Sequence, residues 1–136
     1  MKLLLDTSFL IQLMKKNSRA IEVLQSKKKD SEDILISSLS IYELLAGAQY
    51  IHQKHNSMDE FRKIEKVMRF LTEVPVNSKI VWKAAEIRAK LKINGESIPD
   101  IDLLIACSDE DILILTYDKD FLPLLQYEFN IEILTL

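Results

Sequence analysis

Four short stretches of the chain are mainly apolar and are bounded by polar residues. They cover residues 3–5, 34–36, 112–115 and 131–134. Continuous rather than alternating hydrophobicity at this length is typical of strands buried on both faces, as in a parallel sheet. A Val-Pro-Val sequence at 74–76 is a candidate fifth strand.

Helical periodicity fills the segments between these runs. Residues 57–71 carry apolar side chains at spacings of three and four, with charged side chains on the other face, which predicts an amphipathic helix. Asn77 is a candidate cap for the next helix, which ends before the Asn94-Gly95 loop signal. Pro99 fits the first turn of a further helix over about 100–109.

Strands that alternate with helices predict βαβ units with right-handed crossovers. We therefore expect one domain over residues 1–136, with a three-layer α/β/α architecture and a central, mainly parallel sheet of about five strands. The strand order does not follow from the sequence alone.

Composition narrows the class of protein. The chain has 136 residues, of which 48% are hydrophobic and 29% charged, which is typical of a globular domain. The chain has a single cysteine, Cys107, which excludes an internal disulfide and is expected to be a small buried side chain. Asp6 interrupts the first apolar run far short of the ~20 residues that a membrane helix needs. We expect a soluble, cytoplasmic protein.

Charge and glycine content argue against two binding modes. A net charge of −3 does not favour a grip on nucleic acid by bulk electrostatics. Several short basic clusters are nevertheless candidate phosphate contacts, although such runs are more often solvated faces. Only two glycines are present, and neither a P-loop nor a dinucleotide-binding glycine motif occurs.

Acidic residues follow the predicted strands. In open α/β sheets the functional crevice lies at the carboxyl ends of the strands, and the acids near those ends are Asp6, Glu43, Asp100, Asp102, Asp118 and Asp120. Because several convergent carboxylates repel one another, they either take up protons or require cations. Oxygen ligands without Cys or His favour Mg²⁺ or Mn²⁺ over Zn²⁺.

Each acid also has a purely structural interpretation. Asp6 could cap a helix that starts near Ser8, and the Ser40–Glu43 spacing matches a capping box. The remaining acids could be first-turn helix residues or ordinary turn residues. Taken together, these structural interpretations are less convincing, because helix caps that serve no common site need not all lie at the same edge of one sheet.

No other catalytic set is evident. The two histidines, His52 and His55, lie on a polar stretch where a solvated role is expected, and no Ser-His-Asp or Cys-His set is convincing. The remaining route is a metal-bound water made nucleophilic at neutral pH, which is the chemistry of phosphodiester hydrolysis.

Four motifs in order, LLLDTS, SxxxxYELLAG, PDIDLLIAC and LTYDKDF, resemble those of PIN-domain ribonucleases over essentially the whole chain, and the chain is most similar to VapC-type toxins. The resemblance implies that the catalytic metal ligands are Asp6, Glu43, Asp102 and Asp118. Asp102 is preferred over Asp100 because the family acid directly precedes the L-x-I-A pattern. Supporting roles are expected for Ser8, Thr116, Asp100 and Asp120.

The resemblance also implies an activity and partners. These are a Mg²⁺- or Mn²⁺-dependent endoribonuclease that acts on RNA, usually a homodimer, held inactive by a small cognate antitoxin. The segment SFLIQLM is apolar nearly all round, and we hypothesise that it contributes to a dimer or antitoxin surface.

Other assignments are less consistent with these residues. A haloacid-dehalogenase-type phosphotransferase would have a second Asp two positions after Asp6, where Ser8 stands, and a receiver domain would have paired acids after its first strand. Within the PIN class, a housekeeping RNA-processing nuclease and a non-catalytic binding module remain open.

Overall fold

The computed structural model describes residues 1–136 and contains five strands and six α-helices. The strands are β1 Lys2–Leu5, β2 Ile34–Ser37, β3 Thr72–Val74, β4 Ile112–Thr116 and β5 Asn130–Ile133. The helices are α1 Thr7–Met14, α2 Ser18–Lys28, α3 Ser38–His55, α4 Asp59–Met68, α5 Ser78–Ile93 and α6 Asp100–Ala106, and a 3₁₀ helix covers Lys119–Gln126.

The strands form one sheet in the order β3-β2-β1-β4-β5, and every neighbouring pair is parallel. From β1 the chain moves to one side through β2 and β3, and then returns to the other side of β1 through β4 and β5. The strand order therefore reverses between β1 and β4, and ligands of open α/β sheets bind outside the carboxyl ends of the strands at such a point.

Helices cover both faces of the sheet. Successive side chains of a strand point to opposite faces, and accordingly Leu4 packs in a core with α5 and α6, while Leu3 and Leu5 pack in a second core with α1, α2, α3 and α4. Burial on both sides explains why the three central strands, β2, β1 and β4, are almost entirely apolar. The predicted α/β/α class with a parallel five-stranded sheet is confirmed.

The prediction of a fifth strand at 74–76 is wrong in its position. The strand is β3, whose Thr72 and Val74 pair with Leu35 and Ser37. Pro75 directly follows β3, and a proline has no backbone N–H to donate to a neighbouring strand. The sheet edge therefore ends before the Val-Pro-Val sequence is complete.

Two helices are shorter than their patterns predict. The amphipathic helix expected over 57–71 is α4, and the helix expected over 100–109 ends with α6 at Ala106. The hydroxyl of Ser108 donates to the carbonyl of Ile105 at 2.7 Å, which satisfies one of the carbonyls left free at the helix end. Cys107 is buried, as predicted.

The caps of α5 agree with the sequence. Asn77 accepts a hydrogen bond from the N–H of Ile80 at 3.0 Å, and Gly95 beyond the last turn has a φ of 70°, a left-handed conformation that favours glycine. None of the helices has both the length and the apolar character that crossing a membrane requires.

The packing of the central strand predicts a contrast in stability between two apolar substitutions. Leu4→Ala should lower the free energy of unfolding by about 2–5 kcal/mol, because Leu4 is fully buried in β1. Trp82→Ala should change it by less than about 0.5 kcal/mol, because Trp82 is 79% exposed on α5. Urea denaturation of both variants measures the difference, and equal losses would contradict this packing.

Candidate metal centre

The centre is built around Asp6, which directly follows β1. Leu5 of β1 pairs with Leu115 of β4, so that Asp6 lies beside Thr116, the last residue of β4. The Asp6 side chain caps α1 by accepting from the N–H of Ser8 at 3.3 Å. The capping interpretation is therefore correct, and it accounts for only one of the two carboxylate oxygens.

Three donors converge on Oδ2 of Asp6, while Oδ1 has none. The hydroxyls of Ser8 and Thr116 donate to Oδ2 at 2.8 and 2.7 Å, in addition to the Ser8 N–H. Oδ1 is buried without a hydrogen-bond partner, and the residue is only 2% exposed. This burial raises the pKa of Asp6, and the hydrogen bonds oppose the rise. An unpartnered buried carboxylate oxygen is costly unless a cation or a proton satisfies it.

Glu43 lies in the second turn of α3 and not in a capping box. The N-cap of α3 is Ser37, whose hydroxyl accepts from the N–H of Leu39 at 3.1 Å. Ser40 is therefore inside the helix and buried, and the capping-box interpretation of Ser40 and Glu43 is wrong. Glu43 Oε1 instead accepts a hydrogen bond from the hydroxyl of Thr7 at 2.6 Å.

Asp102, Asp118 and Asp120 bring three further carboxylates together, with oxygens within 4.8 Å of one another. Asp102 lies in the first turn of α6, and Asp118 follows β4 and caps the 3₁₀ helix through the N–H of Asp120 at 2.9 Å. The N–H of Asp118 donates to the Thr116 hydroxyl at 2.9 Å. Thr116 therefore joins Asp6 and Asp118.

Asp102 experiences the charge of all the other acids in the group. Its pKa is raised to about 7, first by burial and then by the negative charges of Asp6, Asp118, Glu43 and Asp120. A cation bound beside a buried carboxyl group that is surrounded by like charges would favour the ionised form of that group. The structure thus brings together Asp6, Glu43, Asp102, Asp118 and Asp120.

Asp100 lies apart from this group. Its side chain is 85% exposed and pairs with Arg88 at 2.6 Å. The histidines are also elsewhere, since His55 is exposed and the ring of His52 packs edge-on against Phe61 at 6.1 Å.

Two hydroxyl residues of the centre were not predicted from the sequence. Thr7 contacts Glu43, and it shares a hydrogen bond with the buried Ser40 at 2.9 Å. The sequence indicated these residues only by their positions: one hydroxyl residue directly follows Asp6, and the other lies one turn before Glu43. Both are common residue types near helix N-termini.

The residues present fit a hard divalent cation. The donors are carboxylate and hydroxyl oxygens, without sulfur or imidazole, and such a set suits Mg²⁺ or Mn²⁺. The buried Oδ1 of Asp6 lacks any partner within the protein, and a cation would satisfy it. The three clustered aspartates provide further oxygens within reach of one another.

Comparison with known proteins identifies the family. The family model described as the PIN domain matches residues 3–123. The chain belongs to the PIN domain family. The resemblance seen in the four sequence motifs is therefore confirmed. No curated protein is similar enough in sequence to be matched.

Solved structures share the fold of this PIN domain at low sequence identity. VapBC2 from Rickettsia felis, bound to a DNA fragment from its promoter, superposes with a TM-score of 0.81 and 24% identity over 98% of this chain and 99% of that chain. DNA-bound VapBC from Salmonella typhimurium gives 0.80 and 21% over 97% of each chain. VapBC-5 from Mycobacterium tuberculosis, a member of the VapBC family of toxin-antitoxin systems, gives 0.69 and 22% over 99% and 98%.

The raised pKa of Asp102 predicts how the stability of this PIN domain depends on pH in EDTA. A carboxyl group whose pKa is higher in the folded state favours folding below its ordinary pKa of about 4, and that contribution is lost as the pH rises through about 7. Asp102→Asn should therefore be more stable than wild type at pH 8, by about 1–2 kcal/mol after allowance for solvent screening.

Urea denaturation in EDTA at pH 4 and pH 8 tests this expectation. Wild type should lose more stability than Asp102→Asn between the two pH values. Parallel losses in the two proteins would contradict the electrostatic account of the carboxylate group.

Proposed function

We propose that this protein is a Mg²⁺- or Mn²⁺-dependent endoribonuclease, and that it is the toxin of a VapBC-like toxin–antitoxin module. One observation carries the proposal: in a PIN domain, Asp6, Glu43, Asp102 and Asp118 converge at the point where the strand order reverses, and the buried Asp6 oxygen lacks a partner. These four residues would be the catalytic metal ligands, as predicted from the motifs.

In this proposal, each side chain of the carboxylate group and its neighbours has its own role. Asp6, Glu43, Asp102 and Asp118 would hold a divalent cation, which when bound would activate a water at neutral pH and stabilise the charge of the leaving oxygen of the phosphodiester. Ser8 and Thr116 hold Asp6 through Oδ2, so that Oδ1 stays directed away from them. Thr116 also fixes the backbone of Asp118. Asp120 is an exposed acid at the margin of the group, which suits a supporting role.

An apolar groove beside the centre supports a small antitoxin as partner. The groove has a volume of about 280 Å³, and Ile11, Met14, Leu44, Ala48 and Ile51 contribute its apolar lining. Glu43 also lines it, so a peptide seated on α1 and α3 would reach the carboxylate group. VapBC-5 from Mycobacterium tuberculosis, which shares this fold, is a member of the VapBC family of toxin-antitoxin systems, and this supports an antitoxin partner here.

Cleavage of RNA tests the enzymatic part of the proposal. Wild-type protein should cleave RNA internally with Mg²⁺ or Mn²⁺, and excess EDTA should abolish the activity. Asp6→Asn and Asp102→Asn should each lower kcat/KM by about two orders of magnitude or more, because each removes a charged metal ligand. Gel analysis of a labelled RNA measures the rates.

Asp109→Asn provides a matched control for these variants. Asp109 pairs with Lys2 at the amino end of β1, opposite the centre, and the variant should keep wild-type activity. Undiminished cleavage by Asp6→Asn and Asp102→Asn would contradict the metal-site assignment. Absence of cleavage by metal-loaded wild type would favour a non-catalytic binding module.

Expression in bacteria tests the toxin part. Wild-type protein should arrest growth, Asp102→Asn should not, and co-expression of the small protein encoded next to the gene should relieve the arrest. Plating efficiency measures all three outcomes. Normal growth with soluble protein that cleaves RNA in vitro would instead favour a housekeeping RNA-processing nuclease.

A further inference from the structure

Two hydroxyl groups join α1 to α3 at Glu43. Thr7, the first residue of α1, donates from Oγ1 to Glu43 Oε1 at 2.6 Å and shares a second hydrogen bond with Ser40 Oγ at 2.9 Å. Ser40 is fully buried and lies one turn before Glu43 on α3. No hydrogen bond from the protein engages Oε2 of Glu43.

Glu43 has physical reasons to leave the carboxylate group. Its negative charge raises the pKa of Asp102, so the two side chains repel each other when both are ionised. A glutamate also loses rotamer freedom when its side chain is fixed. In the absence of a restraint, both effects would favour conformations in which Glu43 turns towards solvent.

Thr7 provides a restraint that is itself fixed. A hydroxyl has a single proton, and a hydrogen bond between a hydroxyl and a carboxylate is among the stronger ones in proteins. The backbone of Thr7 is held between Asp6, which caps α1, and Phe9 and Leu10, which are fully buried. The bond to Ser40 further limits the rotation of the Thr7 hydroxyl.

We propose that Thr7 is a positioning residue that, with Ser40, holds Glu43 in the carboxylate group by binding its Oε1. The inference rests on the proposed function, because it assumes that Glu43 serves a divalent cation. In this role Thr7 acts through Glu43, to which it donates its hydrogen bond. Hydrogen bonds that orient metal ligands typically affect metal affinity or activity about ten- to a hundredfold.

The experiment compares Thr7→Val, which removes the hydroxyl at nearly constant shape, with Thr7→Ser, which keeps it. Thr72→Val is the matched control, because Thr72 donates to the carboxylate of Asp33 at 3.0 Å at the amino end of the sheet, away from the centre. The affinity for Mn²⁺ is measured without RNA, by electron paramagnetic resonance of the free ion, and RNA cleavage is then followed across Mn²⁺ concentrations.

Thr7→Val should bind Mn²⁺ about ten- to a hundredfold more weakly than wild type, while Thr7→Ser stays within about threefold. High Mn²⁺ should restore much of the kcat of Thr7→Val, since the remaining ligands are intact. Thr72→Val should bind Mn²⁺ as wild type does. Ser40→Ala, which removes the second anchor, should shift the affinity in the same direction by a smaller factor.

Each unfavourable result has one meaning. Wild-type Mn²⁺ affinity in a folded Thr7→Val protein would overturn the positioning role and leave the proposed function intact. Equal weakening by Thr72→Val would also overturn it, because a general loss of stability would then be the cause. A wild-type protein that binds no Mn²⁺ would overturn the proposed function, and the positioning role with it. If Thr7→Val does not fold, an Mn²⁺ affinity in Ser40→Ala equal to that of wild type overturns the role.

Discussion

The burial of the Asp6 carboxylate between β1 and β4 is the constraint on which the centre depends. A buried carboxylate is costly unless both of its oxygens are satisfied. Here one oxygen receives hydrogen bonds from Ser8 and Thr116, while the other has no partner within the protein. That arrangement requires the β1–β4 register in which Leu5 pairs with Leu115. It also requires α1 to begin directly after Asp6. Asp6 then caps the helix, Thr7 contacts Glu43, and Ser8 contacts Thr116.

The rest of the centre follows from the topology of the sheet. The carboxyl ends of β1 and β4 meet where the strand order reverses and are followed by Asp6 and Asp118. The first turn of α6 contributes Asp102, and the second turn of α3 contributes Glu43. Burial of Asp102, together with the negative charges of the other acids, raises its pKa to about 7. The isolated protein therefore sacrifices some stability at neutral pH for a site that a divalent cation would complete, which is a common cost of functional sites.

Sequence patterns predicted the fold and the convergence of the acids because both depend on burial. A strand covered on two faces is continuously apolar, and polar side chains that follow such strands collect at one sheet edge. Where two neighbouring residues are equally suited to one structural role, the sequence did not predict which of them takes it. Ser37 and Ser40 are both suitable caps, and only the packing of α3 decides between them. Asp100 and Asp102 point to different sides of α6, since residues two apart on a helix do not share a face, and Thr7 contacts Glu43 only once α1 and α3 are packed.

The central claim is that the carboxylate group binds a divalent cation through the free oxygen of Asp6. Anomalous diffraction from crystals grown with Mn²⁺ tests it most directly, because the method locates the ion without reference to activity. The account predicts a peak at coordination distance from Asp6 Oδ1 and from at least one of Asp102 and Asp118, and no such peak in Asp102→Asn crystals. A fully occupied Mn²⁺ elsewhere, with Asp6 Oδ1 still without a partner, would contradict the account.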